Sequence, residues 1–174
     1  MTAIGVYAFQ ACTSLTFVSL GNSVTSIGER AFYRCTKLPS ITIPKSVTSI
    51  GQRAFYSCDS LSSVIVAWEE PIALNGSTAS TFSNNLSATL YVPQGTTAAY
   101  SSSNYWKKFG SIVEYEMGDI DGDGDITTND VEVLADIVAG NIVRGCNTNS
   151  ADVNDDGQIS VADITALVNK VRSI

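Results

Sequence analysis

I-G-E-R-A-F-Y-R-C-T-K-L, from Ile27 to Leu38, has a near-copy on either side, I-G-V-Y-A-F-Q-A-C-T-S-L from Ile4 and I-G-Q-R-A-F-Y-S-C-D-S-L from Ile50. The pattern I-G-x-x-A-F-x-x-C-x-x-L thus recurs every 23 residues. Between the copies run short apolar alternations that end in turns: Val18 and Leu20 before Gly21, Ile41 and Ile43 before Pro44, then Val64 and Val66. A 23-residue unit cannot bury its own apolar face. The copies must stack, so that the recurring Ile, Ala, Phe, Cys and Leu share one continuous core. The alternation predicts one short strand per rung, and stacked strands of this kind form a parallel sheet.

Cys12, Cys35 and Cys58 fall at one repeat position, which predicts a ladder of small inward side chains held as free thiols. From Ala67 to Glu116 the period is lost. Pro71, Phe82, T-L-Y-V-P at Thr89–Pro93, Tyr100 and Y-W-K-K-F-G-S-I-V-E at Tyr105–Glu114 are the material for a cap. A solenoid needs one, because its last rung otherwise shows an apolar cross-section to water. Trp106 and Phe109 are expected in the core of that cap. Over Met1 to about Val66 the repeat resembles the BspA-like class of leucine-rich repeats found on bacterial surface proteins, and the segment that follows resembles the closing segment of such arrays.

A second, different duplication follows. D-I-D-G-D-G-D-I-T-T-N-D spans Asp119 to Asp130 and D-V-N-D-D-G-Q-I-S-V-A-D spans Asp152 to Asp163, 33 residues on. Each places oxygen donors at loop positions 1, 3, 5 and 12, glycine at 6 and an apolar residue at 8, the spacing of a loop wound around Ca2+. The candidate ligands are Asp119, Asp121, Asp123 and Asp130 in the first loop, with Asp125 giving its carbonyl at position 7. In the second they are Asp152, Asn154, Asp156 and Asp163, with Gln158 at position 7. Gly124 and Gly157 mark the sharp turns, and Ile126 and Ile159 point inward. A dense all-protein oxygen cage suits calcium better than magnesium. Helical spacing appears only after each loop, at Val131, Leu134, Ile137 and Val138 and at Ile164, Leu167, Val168 and Val171. Each unit is a loop with one exiting helix, unlike an EF-hand, which needs a helix on both sides.

That arrangement resembles the type I dockerin module over about Met117 to Ile174, most specifically in N-S-A-D-V-N-D-D-G-Q-I-S-V-A-D-I-T-A-L-V at Asn149–Val168. The resemblance implies two calcium ions and docking to a cohesin-like module on another protein, through side chains at loop positions 10 and 11. Those positions hold Thr128 and Asn129 in the first copy and Val161 and Ala162 in the second, a departure from the symmetric Ser/Thr pattern.

Charge follows the same division. Residues 117–174 carry 11 acidic and 3 basic groups, net −8, against 6 acidic and 7 basic groups in the rest, net +1. The local negative charge disfavours nucleic acid or an anionic membrane as partner. The chain has no histidine, which removes His-dependent triads and HExxH zinc sites, and no phosphate-binding glycine loop; a non-enzyme is expected. No apolar run is long enough to span a membrane. Met1 leads directly into repeat sequence, so the expectation is part of a longer exported protein, extracellular or on a bacterial cell surface, whose export signal lies outside this stretch.

The expected fold is a mainly β leucine-rich-repeat solenoid (1–66) with a β-containing cap (67–116), followed by a small all-α calcium-binding dockerin-like domain (117–174). Two functions fit it. In the first, the calcium module docks to a cohesin-like partner and the solenoid offers a second surface for a protein or glycan ligand. In the second, the module packs on its own solenoid and is purely structural. The strand face carrying Phe17, Ser19, Ser40, Thr42, Ser63 and Ile65, small or apolar and uncharged, is the candidate second surface.

Overall fold

The second and third repeats each contribute two strands, not one. In the computed structural model, which describes all residues except 1, 75–80, 83–86, 142, 144–145, 155 and 157, a first parallel sheet joins β1 (Ala3–Ile4), β2 (Ser26–Ile27) and β4 (Ser49–Ile50) in that order. Its partners are one period apart, Ile4 opposite Ile27 and Ile27 opposite Ile50. A second parallel sheet starts with β3 (Ser40–Ile43) and β5 (Ser63–Val66), Ile41 opposite Val64 and Ile43 opposite Val66. The second sheet is the one the apolar alternation predicts. The first is the surprise, because a two-residue strand is too short to show any alternation. The equivalent run at 17–20 is not a strand.

The two chain units Met1–Glu114 and Tyr115–Ile174 are each compact. In the first, the glycines of the second and third I-G pairs, Gly28 and Gly51, set how closely rungs approach. A Cβ on Gly51 would lie 2.4 Å from the Glu29 amide nitrogen and 2.6 Å from the Gly28 carbonyl carbon; on Gly28 it would lie 2.6 Å from the Val6 nitrogen. After the glycine the chain turns twice, and one rung hydrogen-bonds to the next through alternate residues. The Arg30, Phe32 and Arg34 amides donate to the carbonyls of Gln52, Ala54 and Tyr56, and the Ala31, Tyr33 and Cys35 amides close turns on Gly28, Arg30 and Phe32. The turns place two non-glycine residues per rung at positive φ: Tyr7 and Ala11, Arg30 and Arg34, Arg53 and Ser57.

Within the solenoid the repeated phenylalanines stack face to face, Phe9 on Phe32 at 5.1 Å and Phe32 on Phe55 at 5.2 Å between ring centroids. Phe55 stacks in turn on Phe82 at 5.3 Å. Phe82 lies in the segment where the sequence period is lost, yet it forms a fourth rung: the Phe55 amide donates to the Thr81 carbonyl, and β6 (Thr89–Pro93) pairs in parallel with β5, Ile65 opposite Tyr91. The cysteines form the expected ladder of free thiols, with Cys35 and Cys58 buried and Cys12 exposed. Each buried thiol donates to a carbonyl one rung back, Cys35 to Phe9 and Cys58 to Phe32, both at 3.2 Å. Burial pushes Cys35 up to about 11 and Cys58 up to about 12.

The array is closed by α1 (Thr97–Ser102), a 3-10 turn at Trp106–Lys108 and β7 (Ser111–Tyr115), the last neighbour of β6 in the second sheet. Trp106 is fully buried and Phe109 nearly so; both pack against the ring of Phe82, at 5.9 and 5.2 Å. Their polar atoms are not wasted. The Trp106 indole N–H donates to the Ile72 carbonyl, Trp68 to Val47, and the Tyr100 hydroxyl to Trp68. Among the described buried side chains, the Thr81 hydroxyl alone has no hydrogen-bond partner.

In the second unit α2 (Thr128–Val138) and α3 (Val161–Val171) pack on each other around Ile120, Leu134, Ala151 and Leu167, with Ile126 and Ile159 against that core. Among the described residues no helix is long and apolar enough to cross a membrane.

Candidate metal centre

Aspartate at every second position bends the chain onto itself. In the first loop the Gly122 amide donates to Asp119 Oδ1 (2.9 Å), Asp123 to Asp121 Oδ1 (3.1 Å) and Asp125 to Asp123 Oδ1 (2.8 Å). Gly124 takes φ +95 and Gly122 φ +78, conformations that side chains with a Cβ resist. One carboxylate oxygen each of Asp119, Asp121 and Asp123 consequently lies within 4.8 Å of the others. Burial first, then the charges of Asp130 and Asp121, hold the Asp119 carboxyl above its usual range. Three carboxylates so close repel one another unless a cation sits among them, and an all-oxygen donor set is that of a hard cation such as Ca2+.

Asp130 closes the loop. Its Oδ1 accepts from the amides of Ile120 (2.6 Å) and Asp121 (3.0 Å), its Oδ2 from Thr127 (2.8 Å). The Thr127 hydroxyl accepts from Asn129, so Asp130 is also the reciprocal member of a capping box on α2. Asp125 is exposed and enters the loop's hydrogen bonding through its backbone.

The second loop repeats the design with one carboxylate replaced. The Asp156 amide donates to Asp152 Oδ1 and Asn154 Oδ1, both at 3.0 Å, and Gln158 donates to Asp156 Oδ1. Asp163 accepts from Asn154 and Ser160, and with Ser160 forms the capping box of α3. Gln158 is exposed, as Asp125 is. Gly157, the expected sharp turn here, lies outside the described residues.

Sequence reasoning missed what ties the two loops together. The Gly118 amide donates to the Ser150 carbonyl, Asn147 to the Ile120 carbonyl, and the buried Ser150 hydroxyl to Asp119 O at 2.6 Å. Cross-bonding at the two loop starts makes them one unit. The sign of it in the sequence was the pair Asn147 and Ser150 ahead of Asp152, which reads as ordinary turn composition. A second tie is Lys170 on α3, whose ammonium reaches Glu116 at 2.9 Å and the Met117 carbonyl at 2.6 Å. Thr128, Asn129, Val161 and Ala162 are all exposed on the first turns of the two helices, Val161 at 66 %.

Two family profiles account for this architecture. One, described as "BspA type Leucine rich repeat region", matches residues 1–109 in six copies. The other, "Dockerin type I domain", matches residues 117–172. No curated protein matches the chain. Type I dockerins bind calcium and typically dock to cohesin modules, and both families are interaction modules. The repeats cover more than half of the chain, which belongs to the BspA-type leucine-rich repeat family and carries a type I dockerin domain.

Proposed function

We propose that this chain is a non-catalytic adaptor working outside a bacterial cell, in which residues 117–174 hold two calcium ions and dock to a cohesin-like module. The observation that carries the reading is the convergence of Asp119, Asp121 and Asp123 within 4.8 Å in a loop latched by Asp130. One ion takes oxygens from these four side chains and the Asp125 carbonyl. The second takes them from Asp152, Asn154, Asp156, Asp163 and the Gln158 carbonyl. The solenoid's strand face, where Ser40, Thr42, Ser63 and Ile65 lie half-buried and uncharged on β3 and β5, is the second surface, for a protein or a glycan.

Binding energy of this kind is folding energy, because the loops repel closure when empty. Calorimetric titration of the full chain with CaCl2 should give two sites, with Asp130→Ala removing one and Asp163→Ala the other. No heat, and a melting curve indifferent to calcium, would defeat the calcium reading. Docking is tested by capture of cohesin modules in calcium and in chelator. Thr128 and Asn129 offer hydrogen-bonding groups where Val161 and Ala162 offer apolar surface, so one helix copy should dominate. Replacing one pair should abolish capture and replacing the other leave it intact. Equal, negligible losses would exclude these positions as the contact.

A further inference from the structure

The turn edge of the solenoid is built as an array of arginines laid on tyrosines. The Arg30 guanidinium carbon lies 5.6 Å from the centre of the Tyr7 ring and 5.9 Å from that of Tyr33, and Arg30 Nη1 donates to the Tyr7 hydroxyl at 3.0 Å. Arg34 covers Tyr33 and Arg53 covers Tyr56, each at 5.9 Å. Tyr33 and Tyr56 stack on each other, also at 5.9 Å, so the array repeats at the rung spacing along the solenoid axis. All three arginines sit at positive φ, where glycine or asparagine costs the backbone least. Folding alone does not call for arginine there. An array of planar, weakly hydrated cations held flat against rings is suited to bidentate contact with carboxylate or sulfate groups.

The backbone of this edge has nothing left to give. Every amide from Arg30 through Cys35 already donates, to the next rung or to its own turn. A peptide recognised by its main chain has no strand edge to extend here. The faces of Tyr33 are occupied by Arg30, Arg34 and Tyr56, which leaves guanidinium edges and phenol hydroxyls as the recognising groups. We propose that this arginine–tyrosine edge binds an anionic polysaccharide, a linear polymer whose carboxylates or sulfates recur as the arginines do and whose hydroxyls meet the phenols. The site is distinct from both the strand face and the calcium module. Glu29, 3.8 Å from Arg30 Nε, competes with the ligand for that arginine.

The test uses the full chain in saturating calcium and 150 mM salt, where charges beyond about 8 Å are screened and close contacts dominate. Immobilised sulfated heparin, polygalacturonate, poly-glutamate and neutral dextran are compared. Binding to heparin or polygalacturonate but not dextran is expected, and the polymer preferred distinguishes sulfate from uronate. The variant Arg30→Lys/Arg34→Lys/Arg53→Lys keeps the charge and loses the planar fork; it should weaken binding at least ~10-fold, the worth of one charge-assisted hydrogen bond. Glu29→Gln should tighten it. No binding to either polysaccharide overturns the proposal, as does a lysine variant that binds like the parent, which would reduce the effect to general charge. Stronger binding to poly-glutamate assigns the edge to an acidic protein segment instead. Should the triple variant melt below the parent, Glu29→Gln still decides, and its failure to tighten binding counts against the site.

Discussion

Gly5, Gly28 and Gly51 occupy the same position in three successive repeats, yet the structure predicts that alanine is tolerated at one and not at the other two. None has positive φ, so the difference is purely one of space. A Cβ on Gly5 meets nothing within 4 Å. On Gly51 it would stand 2.4 to 2.8 Å from Glu29 N, Gly28 C and Glu29 Cα, and on Gly28 2.6 to 3.0 Å from Val6 N, Gly5 C and Gly5 O. These are main-chain atoms locked in the inter-rung ladder, which cannot swing aside as a side-chain tip does. Relief requires the rungs to part, and inter-rung hydrogen bonds such as Gly51 N to Ile27 O at 2.8 Å stretch with them. Overpacking a well-filled site costs about 1–3 kcal/mol, and backbone contacts belong at the top of that range. A loss of ~3 kcal/mol is a fall of roughly 10–15 °C in the melting temperature of a domain of this size. Gly5→Ala should instead be neutral, or stabilising by up to about 1 kcal/mol through a less flexible unfolded chain. The assay is built in: both tryptophans, Trp68 and Trp106, are buried in the first unit, so selectively excited tryptophan fluorescence follows solenoid melting without a tryptophan contribution from residues 115–174. Three equal shifts, or a Gly51→Ala protein that melts with the parent, would refute the close-approach argument.

The remaining predictions use the same chain. Phe32→Ala should cost about 3–5 kcal/mol, because that ring is fully buried and stacked on both sides, and Phe9→Ala clearly less, because Phe9 is 39 % exposed and stacked on one side; urea denaturation separates them. A maleimide reagent at pH 8 should modify Cys12 quickly and spare Cys35 and Cys58, whose thiols are pushed up to about 11 and about 12, until the chain is unfolded; mass spectrometry of timed samples reads this out. The same burial makes the folded state prefer neutral thiols, so this contribution is full below pH 9 and is lost as pH rises toward 12. Glu114 behaves oppositely: hydrogen bonds from the Gly95 amide, then from the Thr97 hydroxyl and amide, hold its carboxylate at about 2, below the ordinary 4.5. Its contribution is present above 4.5 and lost as pH falls toward 2, and melting curves of Glu114→Gln should converge with the parent at the acid end.

Much of this was legible in the sequence because repetition is a loud signal. Three copies of I-G-x-x-A-F-x-x-C-x-x-L announce a stacked core, and the phenylalanine and cysteine ladders follow from it. What the repeat could not announce was the two-residue strand before each glycine, since two residues carry no period, and the fourth rung, where Thr81 and Phe82 stand without the I-G and Cys that mark the others. The two acidic loops were readable as a duplication, because the spacing of their aspartates is a local property of the chain. The bonds from Ser150 and Asn147 that join one loop start to the other were not, because they depend on how the two halves meet. Asp130 was read as a candidate ligand and not as a helix cap, although the capping-box spacing from Thr127 was present in the sequence. The arginine–tyrosine edge needed the turn geometry, which alone sets Arg30 between Tyr7 and Tyr33.

Phe82 sits 27 residues after Phe55 and Tyr91 sits 26 after Ile65, where every earlier step is 23, and still the ring stack holds at 5.3 Å and the strand register continues. The rung thus counts its anchor points and not its residues. Surplus chain is accommodated between anchors, leaving the spine undisturbed. Such a scaffold is open to change in a particular way: insertions between a strand and the following phenylalanine can accumulate and diversify without re-solving the packing problem, while the anchor positions stay fixed by contact with their neighbours.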